Sequence, residues 1–163
     1  MIVPLTAADA ERLEALAGRY YPAEFTLTAE EMAANLRLME EQGCNFSFGV
    51  EEGAALTGYW LAWIQSSRLE SRADEEVVLV DDVVLAPSAR RRMLALIEAM
   101  LQAMAESGRA GLPIEGALRL TTEETFTGHA QLFERLGYRQ VGRHEYTDEE
   151  LGETLVWVRF EPC

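Results

Sequence analysis

Two groups of side chains in this sequence are of the types, and at the spacing, that do chemistry. Asp81 and Asp82 interrupt the run VVLVDDVVL (77–85), in which every other residue is Val or Leu. A carboxylate carried into an apolar strand loses solvation, which raises its affinity for a proton and suits it to general-base work. Neighbouring strand residues point to opposite faces, so at most one of the two is expected to face a cleft directly. The alternative is a carboxylate satisfied by a loop hydrogen bond or an arginine salt bridge, and the sequence leaves both readings open. Just beyond the run stand Arg90, Arg91 and Arg92, at the start of a helical stripe. Guanidinium groups bind phosphate oxygens through paired hydrogen bonds, and a helix N-terminus adds unpaired N–H groups and partial positive charge. As a plain solvated helix start, three cations have the wrong sign for the helix dipole. A local choice that costs stability points to an anion site instead.

The elements that must hold these groups follow from periodicity. Residues 77–85 are β-branched and nearly continuous, as a central strand covered on both faces requires, and Pro87 ends them. Ser88 is a suitable N-cap for the longest helix, in which Met93, Leu96, Ile97, Met100, Leu101 and Met104 keep helical spacing until Gly108. Upstream, Thr6 and Asp9 cap a helix over 7–20, and Thr28 with Glu31 forms a capping box for a second over 29–42. Phe46, Phe48 and Val50 alternate, turn at 51–53, and return through 54–65 as an antiparallel hairpin. Residues 66–76 are charged and without apolar period, so a solvated loop is expected. A strand over 115–121, a short helix over 128–136 stopped by Gly137, and a hairpin of 139–146 with 154–161 complete the order β-α-α-β-β-β-α-β-α-β-β. There is no internal repeat and no Pro-, Gly- or Ser-rich linker, so 1–163 is expected to be a single domain.

Composition bounds the partners. The 163 residues carry a formal net charge of −14, which repels phosphate backbones and anionic lipid, so neither nucleic acid nor a membrane surface is an expected partner. The same field permits a cationic amine without selecting one. Cys44 and Cys163 form no CxxC pair, and His129 and His144 are isolated, so neither a metal site nor a disulfide framework is expected. No apolar run approaches membrane-spanning length, and no basic-then-apolar leader opens the chain. A cytoplasmic protein is the expectation.

The element order, with a helix starting directly after the central strand, resembles the GNAT superfamily of acyl-CoA-dependent N-acetyltransferases. Two segments carry the resemblance: VDDVVLAPSARRRMLALIEAML (80–101), like that family's cofactor-binding strand, turn and helix, and HAQLFERLGYRQVGR (129–143), which is close to the family's FYEKLGFxxxG pattern. The resemblance implies an α/β (α+β) domain with a mixed, mostly antiparallel sheet of six to seven strands flanked by about four helices. It implies acetyl-CoA as acyl donor, no metal, and a primary amine on a small molecule or a peptide as acceptor. Backbone groups of Val83, Val84 and Leu85 then pair with the pantetheine arm like an added strand, and one backbone N–H polarises the thioester carbonyl. VDDVVL matches the acidic IEDIAV pattern at Asp81 and Asp82. The family's pyrophosphate turn, Q/R-x-x-G-x-G/A, falls on Arg90, Arg91, Arg92, Met93, Leu94 and Ala95, with Met93 in the middle glycine's place. Matching LIEAML (96–101) to the family's LLEAL run instead leaves the turn about two residues short and restores no glycine. The three arginines offer partial compensation.

The family's usual thiolate acid, a tyrosine, is replaced here by Phe133, which cannot donate a proton. Water, Tyr138 or another residue substitutes, or the step is uncatalysed, and Tyr138 itself matches a structural phenylalanine. Phe46, Tyr59, Trp60 and Trp63 read as core and cross-strand packing before pocket lining. Tyr20, Tyr21 and Phe25 lie at the junction of the first two helices, where the family often shapes acceptor choice. Cys44 reads as a small buried filler, and His129 as a surface or capping residue. Exposed edges on the closing hairpin make a homodimer reasonable. A GNAT-fold binding or regulatory module without catalysis is the alternative, and an unrelated α/β interaction protein a more distant one.

Overall fold

The computed structural model describes residues 1–21, 27–67, 74–119, 130–149 and 152–163. A seven-stranded mixed sheet runs β1 (Ile2–Pro4), β2 (Phe48–Glu52), β3 (Ala55–Ser66), β4 (Glu76–Leu85), β5 (Ile114–Arg119), β7 (Glu153–Pro162) and β6 (Tyr138–Asp148) in spatial order. Only β4 and β5 pair in parallel, as the helical crossover between them demands. Four α-helices flank the sheet among the described residues: α1 (Ala10–Tyr20), α2 (Ala29–Glu41), α3 (Met93–Glu106) and α4 over residues 130–135.

Local chemistry sets the helix boundaries. Thr6 and Asp9 make the expected reciprocal capping box, first on a 3-10 turn over Ala7–Asp9 that leads into α1. At α2 the Thr28 hydroxyl accepts from the Glu31 N–H and donates to the Glu31 carboxylate. α3 departs from expectation. Pro87–Arg92 wind as a 3-10 turn, so the α-helix begins only at Met93 and Ser88 caps nothing; its hydroxyl lies 3.4 Å from Glu52 Oε2 instead. This turn sits down on β3 because Gly58 is there: a Cβ on Gly58 would stand 2.6 Å from Leu85 Cδ2 and 3.3 Å from the Ala89 methyl. At the other end of the chain, Gly137 takes φ 88° and stops α4.

The core has two halves, one on each face of the sheet. Trp60, Ala62, Val78 and Val80 pack with Leu96, Ile97 and Met100 of α3, and with Phe133, Val158 and Phe160. Tyr59, Leu61, Trp63 and Val84 pack with Leu13, Leu16, Met32 and Leu36 of α1 and α2. β4 is therefore covered on both faces, as its sequence requires.

The stretch between β3 and β4 is less solvated at its ends than its charges imply. Ser67 donates to Glu115, which is fully buried and bridged to Arg159 at 2.6 Å; Arg159 also reaches Glu75 at 2.6 Å and Glu161 at 3.0 Å. Burying the Glu115 carboxylate is tolerated because it is both paired and hydrogen-bonded. Residues 68–73 of that stretch lie outside the described residues.

Candidate active site

β4 changes character at Asp81. Val77 to Val80 are buried, whereas Asp81, Asp82 and Val83 are half-exposed. Asp82 pairs with Leu61 and Val80 with Ala62, so Asp81 is an extra residue, a β-bulge. At the same place β4 and β5 part. Their parallel pairing covers Val78–Val80 with Ile114–Gly116, after which β5 pairs with β7 and β4 with β3. A bulge bends its strand and increases local twist, which accounts for a divergence starting there.

The bulge breaks strict alternation along β4. Val80 and Val83 both pack with the α3 half of the core although three positions apart, whereas strict alternation would put them on opposite faces. Asp81 and Asp82 are the two residues between them. Both bear electrostatically on Tyr59, which belongs to the α1–α2 half of the core.

Register also determines where β4 sends its main-chain groups. The Ala86 N–H donates to Thr57 O at 2.8 Å, so the pairs 57/86, 59/84 and 61/82 are the hydrogen-bonded ones of this antiparallel ladder. The alternate residues, Val83 and Leu85, turn N–H and C=O away from β3, toward the gap β5 has left. Val84 turns its own toward β3, and its side chain is buried. Tyr21, at the end of α1, donates its hydroxyl to Val83 O at 3.2 Å. The remaining junction residues divide: Tyr20 is exposed, and Phe25 lies outside the described residues.

Asp82 does not stand alone. The Tyr59 hydroxyl donates to its Oδ2 at 2.5 Å. Tyr59 is fully buried, and burial foremost, then the Asp82 charge and hydrogen bond, raises its pKa far above the ordinary tyrosine value. A strand tyrosine is thus one partner of this carboxylate. Sequence reasoning placed Tyr59 in the core; the ring is there, but the hydroxyl reaches the site. Only the register across the bulge brings the two together, and alternation carries no such signal.

The arginine turn closes the free edge of β4. Arg90 and Arg91 are exposed, and Arg92 is half-buried with its Nε buried and without a hydrogen-bond partner among the described residues. None of the three is ion-paired with a described residue. Met93, in the expected glycine's place, turns its side chain into the core, and Leu94 and Ala95 are half-buried in the first turn of α3.

Position 133 and Tyr138 both lie in the core. Phe133 is fully buried and stacks on Phe160 with centroids 4.3 Å apart. Tyr138 is 8% exposed, and burial raises its pKa against an opposing Gly111 backbone hydrogen bond, so it is core as expected. Cys44, Trp60, Trp63 and Phe46 are likewise core, and His129 lies outside the described residues.

A mixed open sheet whose fourth and fifth strands part at a bulge, with a turn and helix directly after the fourth strand, is the GNAT fold. The acetyltransferase of GNAT family from Streptococcus pneumoniae aligns over 100% of this chain and 99% of its own, with TM-score 0.66 and 15% identity. NAA60 of Arabidopsis thaliana in complex with acetyl-CoA aligns over 99% and 97%, with TM-score 0.67 and 16% identity. A GNAT-like decarboxylase in complex with isobutyryl-CoA aligns over 99% and 98%, with TM-score 0.66 and 16% identity. No protein-family model and no curated protein matches the sequence. Among the described residues, no helix is long and apolar enough to cross a membrane.

Proposed function

We propose that this chain is an N-acetyltransferase that moves the acetyl group of acetyl-CoA to a primary amine of a small molecule or a peptide. One observation carries the reading: the open edge of β4, with the Val83 N–H and the main-chain groups of Leu85 turned into the gap, leads straight into a turn bearing three arginines. An unpaired strand edge accepts an extended amide-bearing chain as it would another strand, and pantetheine is such a chain. The arginines and the start of α3 supply cations and N–H groups for a pyrophosphate at its end. Met93 leaves the outer face of the turn clear because its side chain is packed inward. A neighbour of the same fold holds acetyl-CoA and another isobutyryl-CoA, which supports the donor class.

On this reading the Val83 N–H polarises the thioester carbonyl, so that charge developing on the oxygen meets a fixed donor. The amine nitrogen attacks the carbonyl carbon and its proton passes to an Asp81 or Asp82 carboxylate, directly or through one water. The C–S bond breaks, and the departing thiolate, of ordinary pKa about 8.5, takes its proton from water. Phe133 and Tyr138 have no part in it.

The test is thiol release from acetyl-CoA against a panel of primary amines and N-terminal peptides, with mass spectrometry of the product. An amine-dependent thiol signal with a gain of about 42 Da on the amine, one acetyl in place of one hydrogen, supports the reading. The core-buried Phe133 favours one other reading, a GNAT-fold module that binds acyl-CoA without turning it over; saturable acetyl-CoA binding with no turnover across the panel would select it.

A further inference from the structure

Among the described residues, a buried tyrosine hydroxyl reaches the site. Tyr59 is fully buried in the α1–α2 half of the core, and its hydroxyl is aimed at Asp82 Oδ2, 2.5 Å away. A phenol of this kind could be satisfied in the core by any carbonyl, yet it is spent on a half-exposed carboxylate beside the open edge of β4.

We propose that Tyr59 is a positioning residue: its hydroxyl fixes Asp82 as the carboxylate that takes the acceptor amine's proton, and this assignment rests on the acetyl-transfer reading above. A carboxylate offers about four lone-pair directions on two oxygens, and the Tyr59 hydroxyl takes one of them. The bond restrains the side-chain torsions of the half-exposed aspartate. In the reaction the amine's proton moves to Asp82 as the N–C bond forms and the C–S bond breaks, and it then leaves to solvent. Tyr59 keeps its own proton throughout, because burial and the neighbouring negative charge both oppose its ionisation. Among the described residues, the titratable groups bearing on Tyr59 include Asp82, Asp81 on the bulge of β4 and Tyr21 at the end of α1.

The variant Tyr59→Phe removes one oxygen and keeps the ring in the core. Two readouts apply to wild type, Tyr59→Phe and Asp82→Asn. The first is carbon-13 NMR of the side-chain carboxyls, with Asp82→Asn identifying the Asp82 signal. Removing the donor should raise the Asp82 midpoint by about half a pH unit or more. The second is the pH profile of acetyl transfer to n-butylamine, whose acidic limb should move up by the same amount in Tyr59→Phe, with the Kd for acetyl-CoA within about twofold of wild type. An unmoved carboxyl midpoint overturns the pairing, and a moved midpoint with an unmoved acidic limb overturns Asp82 as the proton acceptor. A wild type that neither binds acetyl-CoA nor releases thiol removes the acetyl-transfer reading and the proton-accepting role with it, while the carboxyl titration still reports on the Tyr59–Asp82 bond.

Discussion

Tyr21, where α1 ends, donates its hydroxyl across 3.2 Å to the main-chain carbonyl of Val83, the residue whose N–H faces the gap between β4 and β5. The bond ties the α1–α2 side of the molecule to the strand edge proposed to hold the acyl group. Tyr21→Phe should cost about 1 kcal/mol of stability in urea unfolding, the usual net value of such a bond. On the proposed function it should also raise KM for the amine more than it changes the Kd for acetyl-CoA, since the ring stands on the side of α1 and α2 and not on that of the arginine turn. A weakened Kd with unchanged KM would place Tyr21 on the wrong substrate.

The arginines should act as anion contacts and not as stabilisers of the fold. Arg90→Ala and Arg91→Ala should each weaken acetyl-CoA binding about tenfold, or about 1.4 kcal/mol, while leaving the unfolding midpoint in place. Binding by the wild type should fall as salt rises, because exposed charges are screened. A calorimetric Kd that moves with neither the substitutions nor salt would deny the turn its role.

Much of the frame is legible in the chain. The capping residues Thr6 and Thr28, the strand over 77–85 and the apolar stripe from Met93 to Met104 each follow from local spacing, and the structure forms them there. The extra residue at Asp81 is not legible, because a bulge is decided by pairing with β3 and leaves no mark on alternation. With it goes the approach of Tyr59 to Asp82. The 3-10 winding of Pro87–Arg92 is hidden for a similar reason: Ser88 is a good cap by type, but the turn is shaped by how Ala89 seats on Gly58. The Glu115–Arg159 pair was invisible too, since a charge in a short strand reads as solvated until its partner on another strand is known.

That pair allows a stability test. Arg159→Met strands the fully buried Glu115 carboxylate and should destabilise the protein by about 3–5 kcal/mol. Adding Glu115→Leu should recover much of the loss, as buried ion pairs are often replaceable by apolar packing. Denaturant midpoints for the two single variants and the double distinguish this from a pair of independent effects.

Alkaline pH should reveal the buried tyrosines. The fold raises the pKa of Tyr59, chiefly by burial, above the ordinary tyrosine value, and that of Tyr138 likewise. A pKa raised on folding gives stability that is complete below the unfolded value and lost as pH climbs past it toward the folded one. Urea stability should therefore fall from about pH 10 upward. Tyr59→Phe should flatten that fall by up to about 1.4 kcal/mol per pH unit, as one fewer group ionises only on unfolding.

Restoring the family's tyrosine should not restore an acid. Phe133→Tyr puts a hydroxyl into the fully buried stack with Phe160 and should cost about 1–3 kcal/mol of stability, with no gain in turnover. A faster enzyme would mean that position 133 reaches the leaving thiolate after all.

The most direct measurement is calorimetric titration of the purified protein with acetyl-CoA and, separately, with free CoA. The account predicts saturable one-to-one binding of both in the micromolar range, about −8 kcal/mol, since the strand edge and the arginine turn hold the parts the two ligands share. No heat of binding for either ligand up to millimolar concentration would contradict it, and would leave the fold without the donor on which the proposed chemistry depends.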